Sequence, residues 1–419
     1  MDPVLLTTFG TLIVLLIFTV SIGTAVFMGM MVGGLPPVFL AQKMYSALDS
    51  FPLLAVPFFI VAGDIMQKGT IANSLLAVSR CLVGHIKGGM AHISILTSLF
   101  YGALSGSAAA TVAAVGGIMI PAMEKEGYPK EFATAVNSTS GCLGIMIPPS
   151  IPLILFGSTA GVSISDLFVA TIVPGILMGC ALMLVSYVIC VRRKYGKTVA
   201  RAKFAEMLKA LYEAKWAIMV PVIVLGGIYG GITTPTEAGA IAVVYALFVE
   251  VFITRSMTRK LFFEIIKSSV RINAAIFLVV ASATALGQIM MYYNLSAAVL
   301  DTIMGISTSK VVIMALILVV LLILGTFLEA AAIIMIVTPL LLPVINAIGV
   351  DPVHFGIIML TSFAVGGQTP PVGMTLFVGA SIAKISIERL SIASIPYILT
   401  LVVMLVIIAF VPQLSLCLI

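Results

Sequence analysis

The sequence predicts an all-α polytopic membrane protein made of two inverted repeats, each with a re-entrant helical hairpin and a broken helix. Three observations lead there. With 61% hydrophobic and 9% charged residues and a mean hydropathy of +1.24, the 419-residue chain is far more apolar than a soluble domain. Apolar runs of roughly 17 to 25 residues recur along its length, as a helix crossing hydrocarbon requires, whereas the alternating segments of about ten residues typical of a barrel are missing. Finally, one unit occurs twice: GIMIPPSIPLILFGSTAGVSISDLF from Gly144 and GGQTPPVGMTLFVGASIAKISIERL from Gly366 carry a diproline at the same place. The first prolines lie 370 − 148 = 222 residues apart. That offset also joins Pro121 to Pro343, Gly127 to Gly349, Gly157 to Gly379, Asp166 to Glu388 and Pro174 to Pro396. Upstream, Gly63-Asp64-Ile65-Met66 aligns with Gly287-Gln288-Ile289-Met290.

The first repeat, 1–191, starts with spans near 4–32 and 51–66 and an amphipathic arm near 70–86. The run from Val4 to Val32 lacks a charged leader and cleavage site, so it is expected to be a retained span. A hairpin follows over 89–123, its two arms joined by Ser105-Gly106-Ser107. Each arm of about 16 residues gives roughly 24 Å of helix, short of a ~30 Å hydrocarbon core. Lys87, Lys125 and Lys130 flank both outer ends, so the hairpin is expected to enter and leave by the cytoplasmic side; two ordinary short spans would return there too. The broken helix, 130–160, and a closing span, 163–191, complete the unit.

A basic linker, 192–215, separates the repeats. It holds eight lysines and arginines, and 255–271 holds five more, which places both segments in the cytoplasm. The second repeat, 216–419, reads as spans at 216–232, 236–253 and 272–292, with its amphipathic arm at 258–270. The hairpin 311–346 turns at Thr326-Phe327-Leu328-Glu329, then come the broken helix 353–383 and a closing span, 388–412. Only Lys310 and Asp351 carry charge around this hairpin, consistent with an opening to the opposite side.

Why helices should break inside a bilayer points to function. Irregular backbone at membrane depth is tolerated only where protein buries it or where it lines a polar cavity. Pro149 and Pro371 have no amide hydrogen, and Pro148 and Pro370 push the preceding residue out of helical geometry, which frees carbonyls. Carbonyls beside hydroxyls suit a small hard cation such as sodium, and half-helix N-termini suit a carboxylate. The first hairpin tip and first break would supply Ser105, Ser107, Gly144, Ile147 and Pro149 to one sodium site. Repeat symmetry gives Gly325, Leu328, Gly366, Thr369 and Pro371 for a second. Ser107, Ser150 and Glu329 are the expected contacts to a small organic acid. Sodium would be the coupling ion, with no organic cofactor.

Other chemistries lack parts. Five cysteines show no CxxC or metal spacing, and three histidines do not pair with them. His92 lies roughly 20 Å of helix from Ser105, too far to serve it as a base, so an enzyme is not expected. The basic residues sit in short loops between spans, which excludes a nucleic-acid surface. Asp64 is expected in an interfacial ion pair with Lys68, and Glu237 in a helix cap with Thr234 or Thr236.

Four long stretches, YGALSGSAAATVAAVGGIMIPAMEKEGYPKEFA, LGIMIPPSIPLILFGSTAG, GIYGGITTPTEAGAIA and LGTFLEAAAIIMIVTPLLLPVINAIGVDPVHFG, together resemble the large membrane subunit of tripartite ATP-independent periplasmic (TRAP) transporters, dicarboxylate type. The resemblance covers nearly the whole chain. It implies an elevator-type transporter of the bacterial inner membrane, driven by a sodium gradient and paired with a small four-helix membrane subunit. A periplasmic binding protein would deliver the solute, a C4-dicarboxylate, sialic acid or other sugar acid. The small subunit is expected to be a separate polypeptide. A self-sufficient sodium/carboxylate symporter of similar architecture stays open as the alternative.

Overall fold

Proline and glycine mark the breaks after both hairpins, although Pro121, Pro174, Pro221, Pro339, Pro343 and Pro396 lie inside helices. The computed structural model describes residues 22–34, 36–69, 71–196 and 200–419, so most of the expected first span lies outside the described residues. Helices Ile22–Val32, Pro37–Leu48 and Ala55–Lys68 come first, the last two separated by a short 3-10 turn at Phe51–Leu54 that contains Pro52. The arm helix Ile71–Val83 leads into the first hairpin, Gly89–Ser105 and Ala108–Lys125. The broken helix follows as Lys130–Ser140, Leu143–Met146 and Ile151–Ala160, bent by 40°, and Ile164–Arg193 closes the unit.

In the second half, Lys215–Tyr229 and Pro235–Phe248 form the out-and-back pair, with a π turn at Val249–Ile253. Thr234 and Glu237 cap the second of these reciprocally: the Thr234 amide donates to Glu237 Oε2 at 2.8 Å and the Glu237 amide to Thr234 Oγ1 at 3.3 Å. The hairpin Lys310–Phe327 with Ala330–Ala347, the broken helix Pro352–Gly366 with Met374–Ala383, and the closing helix Ile387–Phe410 then repeat the earlier plan. The offset of 222 carries Ala108–Lys125 onto Ala330–Ala347 residue for residue. Both diproline peptide bonds, Pro148-Pro149 and Pro370-Pro371, are cis. Seven helices among the described residues are long and apolar enough to cross a membrane, or up to nine if each bent pair is one span.

One expectation needs correcting. The segment 258–270 is no separate arm, because it forms the start of one continuous helix, Arg259–Tyr292, in which no proline occurs and the first glycine is Gly287. In the first half the matching stretch is interrupted at Pro52. The counterpart of the arm Ile71–Val83 is Leu295–Ile306. Within the basic linker, Phe204–Glu213 is helical, its start capped where the Lys203 amide donates to Glu206 Oε2 at 2.9 Å. Its apolar side packs Ala210 and Ala214 on Val78 of the first arm.

One element explains how the hairpin is held. Lys130–Ser140 is a polar helix whose residues from Phe132 to Ser140 are all buried. Its polar groups are largely paired, as a low-dielectric interior demands. Ser94 of the hairpin donates to Asn137 Oδ1 at 2.7 Å, Ser98 and Ser140 hydroxyls lie 3.0 Å apart, and Asn137 Nδ2 donates to the Ala133 carbonyl at 2.9 Å. The two repeats also interlock: Gly356 leaves room for Phe156, whose ring a Cβ there would meet at 2.6 Å, and Ser186 and Tyr397 hydroxyls join the closing helices at 3.1 Å.

Candidate functional site

At the first tip, Ser105 ends one helix, Gly106 turns the chain in a left-handed conformation, and Ser107 caps the next helix by accepting from the Ala110 amide at 3.4 Å. Glycine is required at 106 twice over, since a Cβ would also lie 2.7 Å from the Pro149 carbonyl. Oxygens gather here. The Ser105 and Thr111 hydroxyls are 3.0 Å apart, and Thr111 Oγ1 donates to the Ser107 carbonyl at 2.8 Å. Gly144 presses on the same spot, with no space for a Cβ beside Thr111 Oγ1 and the Ser107 carbonyl. Among the described residues, the carbonyls of Ile147 and Pro149 accept no hydrogen bond.

The second tip meets its own break through a pair of glycines. A Cβ on Gly366 would lie 2.7 Å from the Gly325 backbone. The carbonyls of Leu328, Thr369 and Pro371 accept no hydrogen bond among the described residues, whereas the Thr369 hydroxyl donates to Val365 in its own helix at 2.8 Å. Glu329 stands at the N-terminal cap of Ala330–Ala347, exposed and making no side-chain cap bond.

Both tips open on one cavity of about 530 Å³. Its wall includes the first turns of four helices: Ala108 to Ala110, Ile151 and Pro152, Ala330 and Ala331, and Met374 and Thr375. Four partial positive charges therefore converge on it, the arrangement that favours an anion. Ser105, Ser107, Gly325, Leu328 and Glu329 line the cavity. Gly144, Ile147, Pro149, Gly366, Thr369 and Pro371 lie behind that wall, and so does Ser150, whose hydroxyl is fully buried with no partner among the described residues.

Sequence reasoning missed Thr111 and Gln67 and gave Asp64 a different role. Thr111 follows Ser107 by four positions on one helix, the spacing that lets its hydroxyl reach back to that carbonyl. Asp64 and Gln67 belong to a stripe, Ile60, Gly63, Asp64 and Gln67, whose i, i+3, i+4, i+7 spacing puts all four on one face, and that face lines the cavity. The expected Asp64–Lys68 pair is absent among the described residues; Asp64 Oδ2 instead accepts from Ser269 Oγ at 2.8 Å.

Comparison with known proteins gives this architecture relatives. The family described as Tripartite ATP-independent periplasmic transporter, DctM component, matches residues 4–414. The chain is 44% identical to the isethionate TRAP transporter permease protein DctMQ of Oleidesulfovibrio alaskensis, over 91% of this chain and 60% of that protein. It is 38% identical to the sialic acid TRAP transporter large permease protein SiaM of Vibrio cholerae, over 91% of this chain and 89% of that one. Identity to the C4-dicarboxylate TRAP transporter large permease protein DctM of Pseudomonas aeruginosa is 36%, over 90% and 88%. Among solved structures, the YdaH transporter of Alcanivorax borkumensis matches with a TM-score of 0.66 at 14% identity, covering 88% of this chain and 87% of that one. MtrF of Neisseria gonorrhoeae gives 0.61 at 11%, covering 89% and 83%. These two likenesses concern the fold alone.

Proposed function

The chain belongs to the DctM-component family of tripartite ATP-independent periplasmic transporters, and from that premise we propose that it performs sodium-coupled secondary active uptake of a small organic acid. The observation that carries this reading is the convergence of two hairpin tips and four helix N-termini on one cavity, with carbonyls at both diproline breaks behind it that accept no hydrogen bond among the described residues. Oxygen-only donors are the chemistry of a hard cation. The first sodium site uses Ser105, Ser107, Gly144, Ile147 and Pro149, with Thr111 added; the second uses Gly325, Leu328, Gly366, Thr369 and Pro371. Ser107 and Glu329 touch the solute, and Ser150 supports the first break from behind. Relatives named for sialic acid, C4-dicarboxylates and isethionate support a small acid as cargo.

The hairpins, broken helices and closing helices move as one elevator body against the remaining spans, and the interlocking of the repeats around Phe156, Gly356, Ser186 and Tyr397 supports a single rigid unit. A small four-helix subunit stands beside this chain in the bacterial inner membrane, and a periplasmic protein delivers the solute. The repeats are inverted, with 192–215 and 255–271 in the cytoplasm.

The test is uptake into proteoliposomes holding the permease and its small subunit. Uptake should require an inward sodium gradient and the binding protein, and Ser105→Ala should raise the sodium concentration for half-maximal rate. Unchanged sodium dependence in Ser105→Ala would overturn the first cation site; full uptake without the binding protein would overturn the tripartite reading.

A further inference from the structure

The cavity wall holds two carboxylates, Asp64 and Glu329, and no lysine, arginine or histidine among the described residues. Asp64 comes from outside the hairpins, on Ala55–Lys68, and Gly63 brings it to the first tip: a Cβ there would lie 3.4 Å from Ser105 Cα. Only 8% exposed, Asp64 accepts one hydrogen bond, at Oδ2 from Ser269, and no bond to Oδ1 occurs among the described residues. Glu329, on the facing tip, makes no cap bond to its own helix. A carboxylate as buried as Asp64 is costly unless something donates to it.

Two demands thus meet in one space. The helix N-termini favour an acid, yet two carboxylates with unused acceptor capacity stand on the same wall. A dicarboxylate would satisfy the first demand and worsen the second, because its other acid adds negative charge and no donor. We infer that the solute is a monocarboxylate that also carries hydrogen-bond donors, hydroxyl or ammonium, which Asp64 and Glu329 accept. This rests on the proposal of acid uptake and narrows it: Asp64 and Glu329 set specificity against dianions.

Equilibrium binding to the purified permease in sodium tests it, independently of coupling and of partner subunits. The probes are matched acids: butyrate, 4-hydroxybutyrate, 4-aminobutyrate and succinate, with gluconate and glucarate as a longer pair. Hydroxyl- or amino-bearing monoacids should bind on the order of tenfold tighter than butyrate or the diacids, the scale of a charge-assisted hydrogen bond. The amino and hydroxyl members tell the two donor sources apart. Asp64→Asn keeps the shape and a bond from Ser269, and it should erase most of that preference, as should Glu329→Gln at the opposite wall. Succinate or glucarate binding as tightly as its monoacid partner would overturn the inference and leave acid uptake standing. So would a preference that survives both substitutions. Binding of none of these acids would overturn the uptake reading as well.

Discussion

At the first hairpin tip, Ser105, Ser107 and Thr111 knit their oxygens into a small buried cluster, whereas at the second Thr326 spends its hydroxyl on Ile323 of its own helix at 2.7 Å and Phe327 and Glu329 stand exposed. The backbones nevertheless follow one plan. Each tip meets a diproline break through glycine, and each break leaves carbonyls unpaired among the described residues. Duplication has preserved what the main chain does and released what the side chains do. A carbonyl site depends on the path of the chain, so its side chains are free to change; a hydroxyl site is not. The first tip would therefore hold its ion with side chains and backbone together, and the second chiefly with backbone.

The largest effects should come from breaking what the tips share. Gly366→Ala sets a methyl 2.7 Å from the Gly325 backbone, and Gly144→Ala has no space beside Thr111 and Ser107. Gly366 faces backbone alone, and beside Gly144 the Thr111 hydroxyl could turn but the Ser107 carbonyl, 2.7 Å away, is backbone, so tip and break must separate. Each substitution should lower uptake by at least about tenfold, measured in proteoliposomes on protein that still elutes as a single species. Normal uptake by either variant would mean that close backbone approach is not what forms that site.

Smaller effects should separate the tips. Thr111→Val removes a hydroxyl that joins Ser105 to the Ser107 carbonyl, so the sodium concentration for half-maximal uptake should rise roughly three- to tenfold, the cost of about one hydrogen bond. Thr326→Val should leave it unchanged, because that hydroxyl only caps its own helix. Equal shifts in both would refute the division into a hydroxyl-assisted tip and a backbone tip.

How much of this was legible in the sequence depends on range. The diprolines, glycines and Ser-Gly-Ser turn are local signals, and they marked both hairpins and both breaks because proline removes a donor wherever it stands. The amphipathic look of 258–270 misled, since Lys260, Lys267 and Arg271 suggest an interfacial arm, yet nothing there stops a helix before Gly287. Only alignment by repeat offset places the second arm at Leu295–Ile306. Asp64 shows the other limit. Lys68 is its neighbour in sequence, but Ser269, 205 residues away, is its partner, and no local pattern gives a contact of that range.

The smallest expected effect concerns the closing helices, where the repeats should behave nearly alike. Ser163 accepts from the Asp166 amide at 3.2 Å and Ser386 from the Arg389 amide at 3.5 Å. Both serines cap the helix that follows a broken helix, and neither lines the cavity. Replacing a capping serine by alanine costs about 1 kcal/mol, so Ser163→Ala should lower thermal stability slightly and Ser386→Ala less, since the longer bond is the weaker. Sodium dependence and solute preference should not move in either. A shift in sodium dependence from these caps would mean that the ends of the closing helices communicate with the breaks, and the symmetry of the repeats would then extend from backbone shape to energetic coupling.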